Sequence, residues 1–299
     1  MTVPYTTSAP LRRVLRSWLV ADRPALVFAI TGAVLGLALL ATMAIHGPRI
    51  GQEGDLYRAG IFDIAVGIAI LNLIIFLRLA GFGRRWATGL RVFLILAGYL
   101  SYLEETVPTL LGHDPRVGDD RPAFLVIAST GFGLLAIGLV ISFVTIAIKF
   151  LTSRTRVRDP AVLTGIRYAV SATVLAGLVG MAMAADQGSG IGQRGDLLPL
   201  HALGFHGLQV IPVISLLAVW SGAGRLLPHV AGIAYLTLCA AVGVQSFSGL
   251  PVFQPSVATL VAGVATLTLL GCLAYGLHRW RKAGCPAESG ALEATTVAV

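Results

Sequence analysis

The apolar residues of this chain fall into eight long runs that are separated by short polar segments. Each run holds roughly 18 to 25 residues, enough for a helix to cross the hydrocarbon core of a bilayer. None of the runs alternates as a barrel strand does, and a helix satisfies its own backbone polar groups within lipid. The predicted spans are Ala25–Ile45, Ile61–Leu79, Val92–Leu111, Phe124–Ile148, Tyr168–Ala185, Leu197–Trp220, Val230–Phe247 and Val257–Leu277. The pattern predicts an all-α polytopic membrane protein with eight transmembrane helices.

Composition supports the same class, since 56% of the residues are apolar and 12% are charged. The net charge of +8 does not indicate nucleic-acid binding, because most Lys and Arg residues fall in alternate loops. This asymmetry predicts that both termini are cytoplasmic. The excess of Arg over Lys, with abundant Ala, Gly and Val, is typical of a bacterial protein. We therefore expect a multi-pass protein of the bacterial inner membrane.

Four segments follow from this topology. Residues 1–24 form a cytoplasmic N-terminal segment, in which Leu11–Ala21 is expected to lie on the membrane as an interfacial helix. The first apolar run is too long for the core of a cleavable signal peptide, so we expect it to be retained. Residues 25–150 and 151–277 hold four spans each, and residues 278–299 form a small, polar tail that we expect to be disordered.

An internal duplication is indicated by two similar outer loops. The segment Ile50–Leu56 recurs as Ile191–Leu197 with six of seven residues identical. The copies follow spans 1 and 5, so they occupy equivalent points in the topology. Because four spans separate them, both halves share one orientation in the membrane. The sequence therefore predicts two parallel four-helix repeats.

Polar residues enter the membrane most clearly in span 6. With 100° of rotation per residue, His201, His206 and Gln209 fall on one arc of the helix. Gly204 and Gly207 fall on the other side, where a neighbouring helix can approach closely, as we also expect for Gly32 and Gly36 of span 1. Span 6 thus has one face for polar contacts and one for packing.

Other polar residues lie at similar estimated depths in spans 2, 3 and 7. Ionisable residues within spans are costly and usually face a bundle interior or an aqueous cavity. The predicted site is one cavity in the outer leaflet. Its candidate catalytic residues are Asp63, Glu104, Glu105, His201 and His206, and its candidate substrate-binding residues are Gln209 and Gln245.

Structural explanations remain open for each of these residues. A histidine near a helix end can simply form a hydrogen bond across a helix pair. Glu104 and Glu105 are also consistent with residues at the membrane interface. Asp63 is also consistent with a helix cap, if span 2 begins late.

The residues from Gly195 to Pro212 carry a resemblance. Their pattern G-D-L-x-x-x-H-x-x-G-x-H-x-x-Q-x-x-P resembles a signature of uncharacterised bacterial multi-pass proteins. It implies that these residues form one unit and implies no particular activity. The eight spans in two halves are also similar in architecture to haem A synthase. That family uses histidines on paired spans, whereas span 8 begins near Gln254 and the first half offers Asp63. The departure argues against a haem held by two histidines, and a haem held by one remains open.

Four functions fit these observations. The first is a membrane-embedded enzyme that acts on a lipid or isoprenoid-like substrate, with Asp63 or Glu104 as the acid and His206 as the base. The second is a haem or metal-binding redox protein, with His201 and His206 as ligands. The third is a proton-coupled transporter, and the fourth a structural membrane subunit. The cofactor and the oligomeric state are left open. The expected partners are membrane lipid and a lipophilic small molecule.

Overall fold

In the computed structural model of the protein, residues 22–115, 122–152, 155–186 and 188–282 are described. Within these residues the chain forms eight helices and two short hairpins. The helices are α1 (Arg23–His46), α2 (Leu56–Ala80), α3 (Arg84–Leu110), α4 (Ala123–Thr152), α5 (Pro160–Ala185), α6 (Leu198–Trp220), α7 (Leu226–Phe247) and α8 (Val257–Lys282). The hairpins are formed by β1 (Arg49–Ile50) with β2 (Gly54–Asp55), and by β3 (Gly190–Ile191) with β4 (Gly195–Asp196).

All eight helices are long and apolar enough to cross a membrane. The prediction of an all-α protein with eight transmembrane helices is therefore confirmed. The largest differences in bounds are in α3, which begins at Arg84 and not at Val92, and in α5, which begins at Pro160 and not at Tyr168. Arginine interrupts the apolar run but is a good helix former, so the helix extends past the apolar segment.

Polar side chains define where several helices begin. The Asp55 carboxylate accepts a hydrogen bond from the backbone N–H of Arg58 at 2.9 Å, which caps α2. Asp159 caps α5 in the same way, accepting from the N–H of Ala161 at 2.8 Å. These bonds satisfy backbone donors that have no partner within the first turn of a helix.

Small residues allow the helices of each half to approach closely. A Cβ atom on Gly36 of α1 would collide with the carbonyl oxygen of Gly60 in α2. A Cβ atom on Gly204 of α6 would lie 2.7 Å from the carbonyl oxygen of Ala172 in α5. The predicted use of these glycines in close helix packing is confirmed.

The helices make corresponding contacts in the two halves. The most extensive packing joins α1 to α2 and α5 to α6, and α3 and α7 pack against these pairs in turn. Between the halves, α4 contacts α5 and α2 contacts α6. One buried apolar cluster runs through both halves, with Phe28 and Ile74 in the first and Ile211 and Tyr235 in the second.

One carboxylate links three helices at the end of the first half where α1 begins. Asp22 directly precedes α1, and its side chain is mostly buried. One of its oxygens lies 2.6 Å from Arg91 of α3, and the other lies 3.5 Å from Arg78 of α2. The ion pairs tie the same ends of α1, α2 and α3 together.

The two hairpins have the same geometry. Arg49 pairs with Asp55 in the first, and Gly190 pairs with Asp196 in the second. Their turns contain Gly51 and Gly192, with φ of 61° and 59°. A residue with a side chain is strained in this left-handed region, so the glycines are required by the turn.

Each hairpin binds the end of the third helix of its half. The N–H of Glu53 donates a hydrogen bond to the carbonyl oxygen of Gly112, which follows α3, at 3.2 Å. The N–H of Arg194 donates to the carbonyl oxygen of Gly249, which follows α7, also at 3.2 Å. The two similar loops found in the sequence thus form similar docked structures.

The same correspondence holds one turn deeper. A Cβ atom on Gly54 would collide with the carbonyl oxygen of Thr109, and a Cβ atom on Gly195 would collide with that of Ser246. These contacts align the end of α3 with the end of α7. The descent of the two halves from one duplicated unit, as parallel repeats, stays a prediction.

Some predicted features lie outside the described residues. They are the interfacial helix at Leu11–Ala21 and residues 283–299 of the predicted tail, whereas residues 278–282 belong to α8.

Candidate functional site

Asp63 lies two turns inside α2 and has no exposed surface. Its Oδ2 atom accepts a hydrogen bond from the Thr106 hydroxyl of α3 at 2.8 Å. Its Oδ1 atom is buried and has no hydrogen-bond partner among the described residues. Because Asp55 caps this helix, Asp63 does not serve as its cap. A buried carboxyl oxygen without a donor is rare and needs a functional or structural reason.

Two further carboxyl groups are buried on α3. Glu105 is 2% exposed and Glu104 is 9% exposed, so both side chains are buried within the protein. The Glu105 carboxyl is close enough to Asp63 for a direct electrostatic interaction. Two negative charges near each other within an apolar bundle are costly, and one proton on Asp63 or Glu105 removes that cost.

Tyr102, one turn before Glu105 and Thr106 on α3, packs against α1. Its hydroxyl donates to the carbonyl oxygen of Phe28 at 3.3 Å, and its ring stacks on Phe28 with 4.8 Å between centroids. Gly32 and Gly67 leave room for the Tyr102 hydroxyl. Tyr102 and Thr106 were not predicted as part of the site. Their sequence positions could have indicated them, because both are polar residues within one helical turn of Glu105.

His201 is used in packing α6 against α5. Its Nδ1 atom lies 2.8 Å from the carbonyl oxygen of Ala176, to which it donates. Its ring fills the space beside Gly180, where a Cβ atom would lie 2.6 Å away. The geometry corresponds to the structural explanation, in which the histidine links a helix pair.

His206 and Gln209 form a second polar group, at the contact between the two halves. His206 is exposed, and its Nδ1 atom lies 3.3 Å from the side-chain amide of Gln209. With the amide oriented to satisfy its neighbours, the Gln209 oxygen accepts from Nδ2 of Asn72 in α2 at 2.9 Å. Asn72 was not predicted, although it is a conspicuous polar residue in the apolar sequence of span 2.

The two polar groups lie on opposite faces of α2. Nine residues separate Asp63 from Asn72, which corresponds to a rotation of about 180° on a helix. Asp63 faces Thr106 of α3, while Asn72 faces Gln209 of α6. The structure therefore brings Asp63 together with Glu105, and places the His206–Gln209 group elsewhere.

Gln245 organises the loop between α7 and α8. Its amide nitrogen donates to the carbonyl oxygens of Pro251 at 2.8 Å and Gln254 at 2.9 Å. Its amide oxygen accepts from the Ser256 hydroxyl at 2.6 Å. Gln245 is 2% exposed, and its side-chain amide is used in hydrogen bonds within this loop.

The arrangement of His, Cys, Asp and Glu side chains bears on whether the protein holds a metal ion. Within the described part of the chain, no three His, Cys, Asp or Glu side chains form a group that could hold a metal ion. The Nδ1 atom of His201 is used in a hydrogen bond to the backbone. Cys239 and Cys272 are buried free thiols. Within the described residues, His201 and His206 are therefore not part of a metal site with three such ligands.

The fold and this site define a multi-pass α-helical membrane protein with a carboxyl pair buried in its first four helices. Comparisons of the chain with family models, with curated proteins and with solved structures give no match. The resemblance of the span 6 motif to uncharacterised bacterial multi-pass proteins stays an expectation.

Proposed function

We propose that the protein performs acid–base chemistry on a lipophilic substrate within the membrane, with the Asp63–Glu105 pair as the group that exchanges the proton. The observation that carries this proposal is the buried Asp63 Oδ1 atom, which lacks a hydrogen-bond donor among the described residues. A structural carboxyl group is normally saturated by hydrogen bonds, because an unsatisfied buried oxygen costs about 1–3 kcal/mol.

The surroundings of the pair support proton exchange. Thr106 holds Oδ2, which fixes the carboxyl group and leaves Oδ1 as the atom available to a proton. Glu105 lies beside it and is nearly fully buried. A carboxyl group whose charge is poorly solvated keeps its proton at neutral pH, where an exposed carboxyl group has already lost it, so the proton remains available for transfer to a substrate.

The His206–Gln209–Asn72 group supports contact with a lipophilic partner. His206 is exposed on a helix that can cross the membrane, so its imidazole is open to the lipid side of the protein. Gln209 and Asn72 hold each other beside it. The group is suited to binding the polar end of a lipid or isoprenoid-like molecule, since polar groups within lipid favour hydrogen-bonding partners.

A proton-coupled carrier is the second candidate. It is favoured by the complete burial of Asp63, because a proton reaches such a group more easily than a bulky substrate does. In a carrier, the protonation of the pair would alternate with movement of the two halves.

The test compares wild-type protein with the Asp63→Asn variant in liposomes made from bacterial lipid extract. Asparagine keeps the shape of the side chain and removes its ability to exchange a proton. We expect wild-type protein to convert a lipophilic component, or to exchange its hydrogen for deuterium in D₂O, and the variant to do neither. Glu53→Gln, which changes a carboxylate in the first hairpin, is the matched control and should behave as wild type.

A pH-sensitive dye inside the same liposomes separates the two candidates. Asp63-dependent proton flux without lipid conversion would support the carrier. If the Asn variant matches wild type in both readouts, Asp63 does not exchange the proton and the proposal fails.

A further inference from the structure

A surface cleft of about 370 Å³ lies along the first turns of α3. It is lined by Arg85, Trp86, Gly89, Leu90 and Phe93. These positions are spaced three and four residues apart, so they share one side of the helix. The cleft therefore combines a cation and an indole ring at the helix end with an apolar floor further along.

Among the described residues, no acidic side chain forms an ion pair with the two arginines that begin α3. Arg78 and Arg91 form ion pairs with Asp22. Arg84 and Arg85 are exposed, and among the described residues neither forms an ion pair. Two adjacent guanidinium groups next to an apolar cleft favour an anionic partner.

A third arginine is held at the same end of the bundle. The backbone N–H of Arg156, in the segment between α4 and α5, donates to the carbonyl oxygen of Leu79 at 3.0 Å. Its side chain is exposed and packs beside Gly81, in the loop that leads into α3. The loop contact therefore adds to the positive charge around the start of α3.

The floor of the cleft suits an acyl chain. A Cβ atom on Gly89 would meet no atom within 4 Å, so the helix surface is open there. Phe93 borders this opening and packs toward Gly138 of α4. Trp86 is 71% exposed, as is common for a tryptophan at the level of lipid headgroups.

We infer that this cleft is a binding site for an anionic phospholipid, whose phosphate binds Arg84 and Arg85 and whose acyl chain lies along Gly89, Leu90 and Phe93. The guanidinium fork matches the oxygens of a phosphodiester and binds them through charge-assisted hydrogen bonds. A soluble anion would use the arginines and leave the apolar floor unoccupied. The chemistry of the whole cleft therefore favours a lipid, and this site is separate from the proposed proton-exchange site.

Native mass spectrometry of the purified protein with phosphatidylglycerol tests the inference. We expect the double variant Arg84→Gln/Arg85→Gln to bind phosphatidylglycerol about tenfold more weakly, because it loses charge-assisted hydrogen bonds to the phosphate. Binding of phosphatidylcholine should change much less. The variant Arg279→Gln/Arg281→Gln removes the same charge from the end of α8 and should retain phosphatidylglycerol.

A second pair of variants tests the acyl-chain floor without changing charge. Gly89→Leu fills the cleft and should also weaken phosphatidylglycerol binding. Gly263→Leu, at an equally open glycine of α8, should not. Equal losses in the α8 controls would show unspecific binding and overturn the site. So would unchanged binding in the α3 variants, or displacement of the lipid by inorganic phosphate at similar concentration.

Discussion

Beneath the first hairpin, one turn along α3 from Thr109, the Thr106 hydroxyl holds the Asp63 carboxyl group. In the second half, the alignment of Gly54 with Gly195 and of Thr109 with Ser246 makes Gly204 and Gly243 the residues that correspond to Asp63 and Thr106. The hairpins dock alike, but the first half has a hydrogen-bonded polar pair at these positions and the second half has two glycines. The docking of a hairpin therefore does not depend on which residues occupy these two positions.

The reverse difference occurs one helical turn closer to the hairpins. Gly60 of α2 lies against Gly36 of α1, where its own Cβ atom would stand 2.9 Å from the Gly36 carbonyl oxygen. The aligned residue of α6 is His201, which donates to Ala176 of α5. Thus α2 has a glycine followed by a polar residue, Gly60 and Asp63, and α6 has the opposite order, His201 and Gly204. Only in the first half is the polar residue left with an unsatisfied atom.

The largest expected effect comes from giving the second half the carboxyl group of the first. Gly204→Asp should lower the free energy of unfolding by about 3 kcal/mol or more, because it buries an unpaired charge and collides with Ala172. Thermal unfolding in detergent measures this loss, and Asp63→Asn is the control expected to cost about 1 kcal/mol or less. Unchanged stability in Gly204→Asp would show that the halves tolerate the same chemistry.

A smaller effect is expected at the hairpins, and it should be alike in both halves. Gly54→Val and Gly195→Val should each cost about 2 kcal/mol, because their side chains collide with the carbonyl oxygens of Thr109 and Ser246. Gly190→Val, in the second hairpin but facing open space, should be nearly neutral. A large loss at one hairpin alone in the same unfolding assay would mean that the two docks differ in strength.

Removing the histidine that links α5 and α6 should have a moderate effect. His201→Ala should cost about 1 kcal/mol, since it loses one hydrogen bond between membrane helices. His206→Ala removes an exposed imidazole and should change stability by less than about 0.5 kcal/mol. If His206→Ala proves the more harmful in urea unfolding, His206 and not His201 holds the second half together.

The smallest effect is expected at the ion pairs of the first half. Asp22→Asn should cost about 0.5 kcal/mol, because the arginines around it are partly exposed and screened by solvent. A double-mutant cycle should show stronger coupling to Arg91, at 2.6 Å, than to Arg78, at 3.5 Å. Equal coupling energies would contradict the asymmetry seen in the distances.

The helices were predictable because their apolar runs are long, and membrane insertion imposes the helical form. The rotation of each helix was not, since it depends on packing between helices. Asp63 and Glu105 were singled out from the sequence as polar residues of neighbouring spans, and both side chains are buried in the structure. Asn72 shows what the sequence could not predict. Its contact with Gln209 places a different face of α2 against α6.

Gln245 shows a second limit. Its polarity within an apolar span indicated a substrate contact, but its partners are Pro251, Gln254 and Ser256 in the following loop. Hydropathy does not reveal which buried amides a loop will satisfy. The hairpin segments were recognisable as a repeat, yet their docking on α3 and α7 required the tertiary structure.

The docked first hairpin also bears on how a substrate of the proposed reaction would reach Asp63. Its contact with Thr109 lies one turn along α3 from Thr106, which holds the Asp63 carboxyl group, and Asp63 has no exposed surface. If the hairpin closes this end of the bundle, a substrate arrives sideways from the bilayer, where apolar molecules accumulate by partitioning. The rate of the proposed reaction should accordingly follow the mole fraction of substrate in the membrane, and remain insensitive to its small concentration in water.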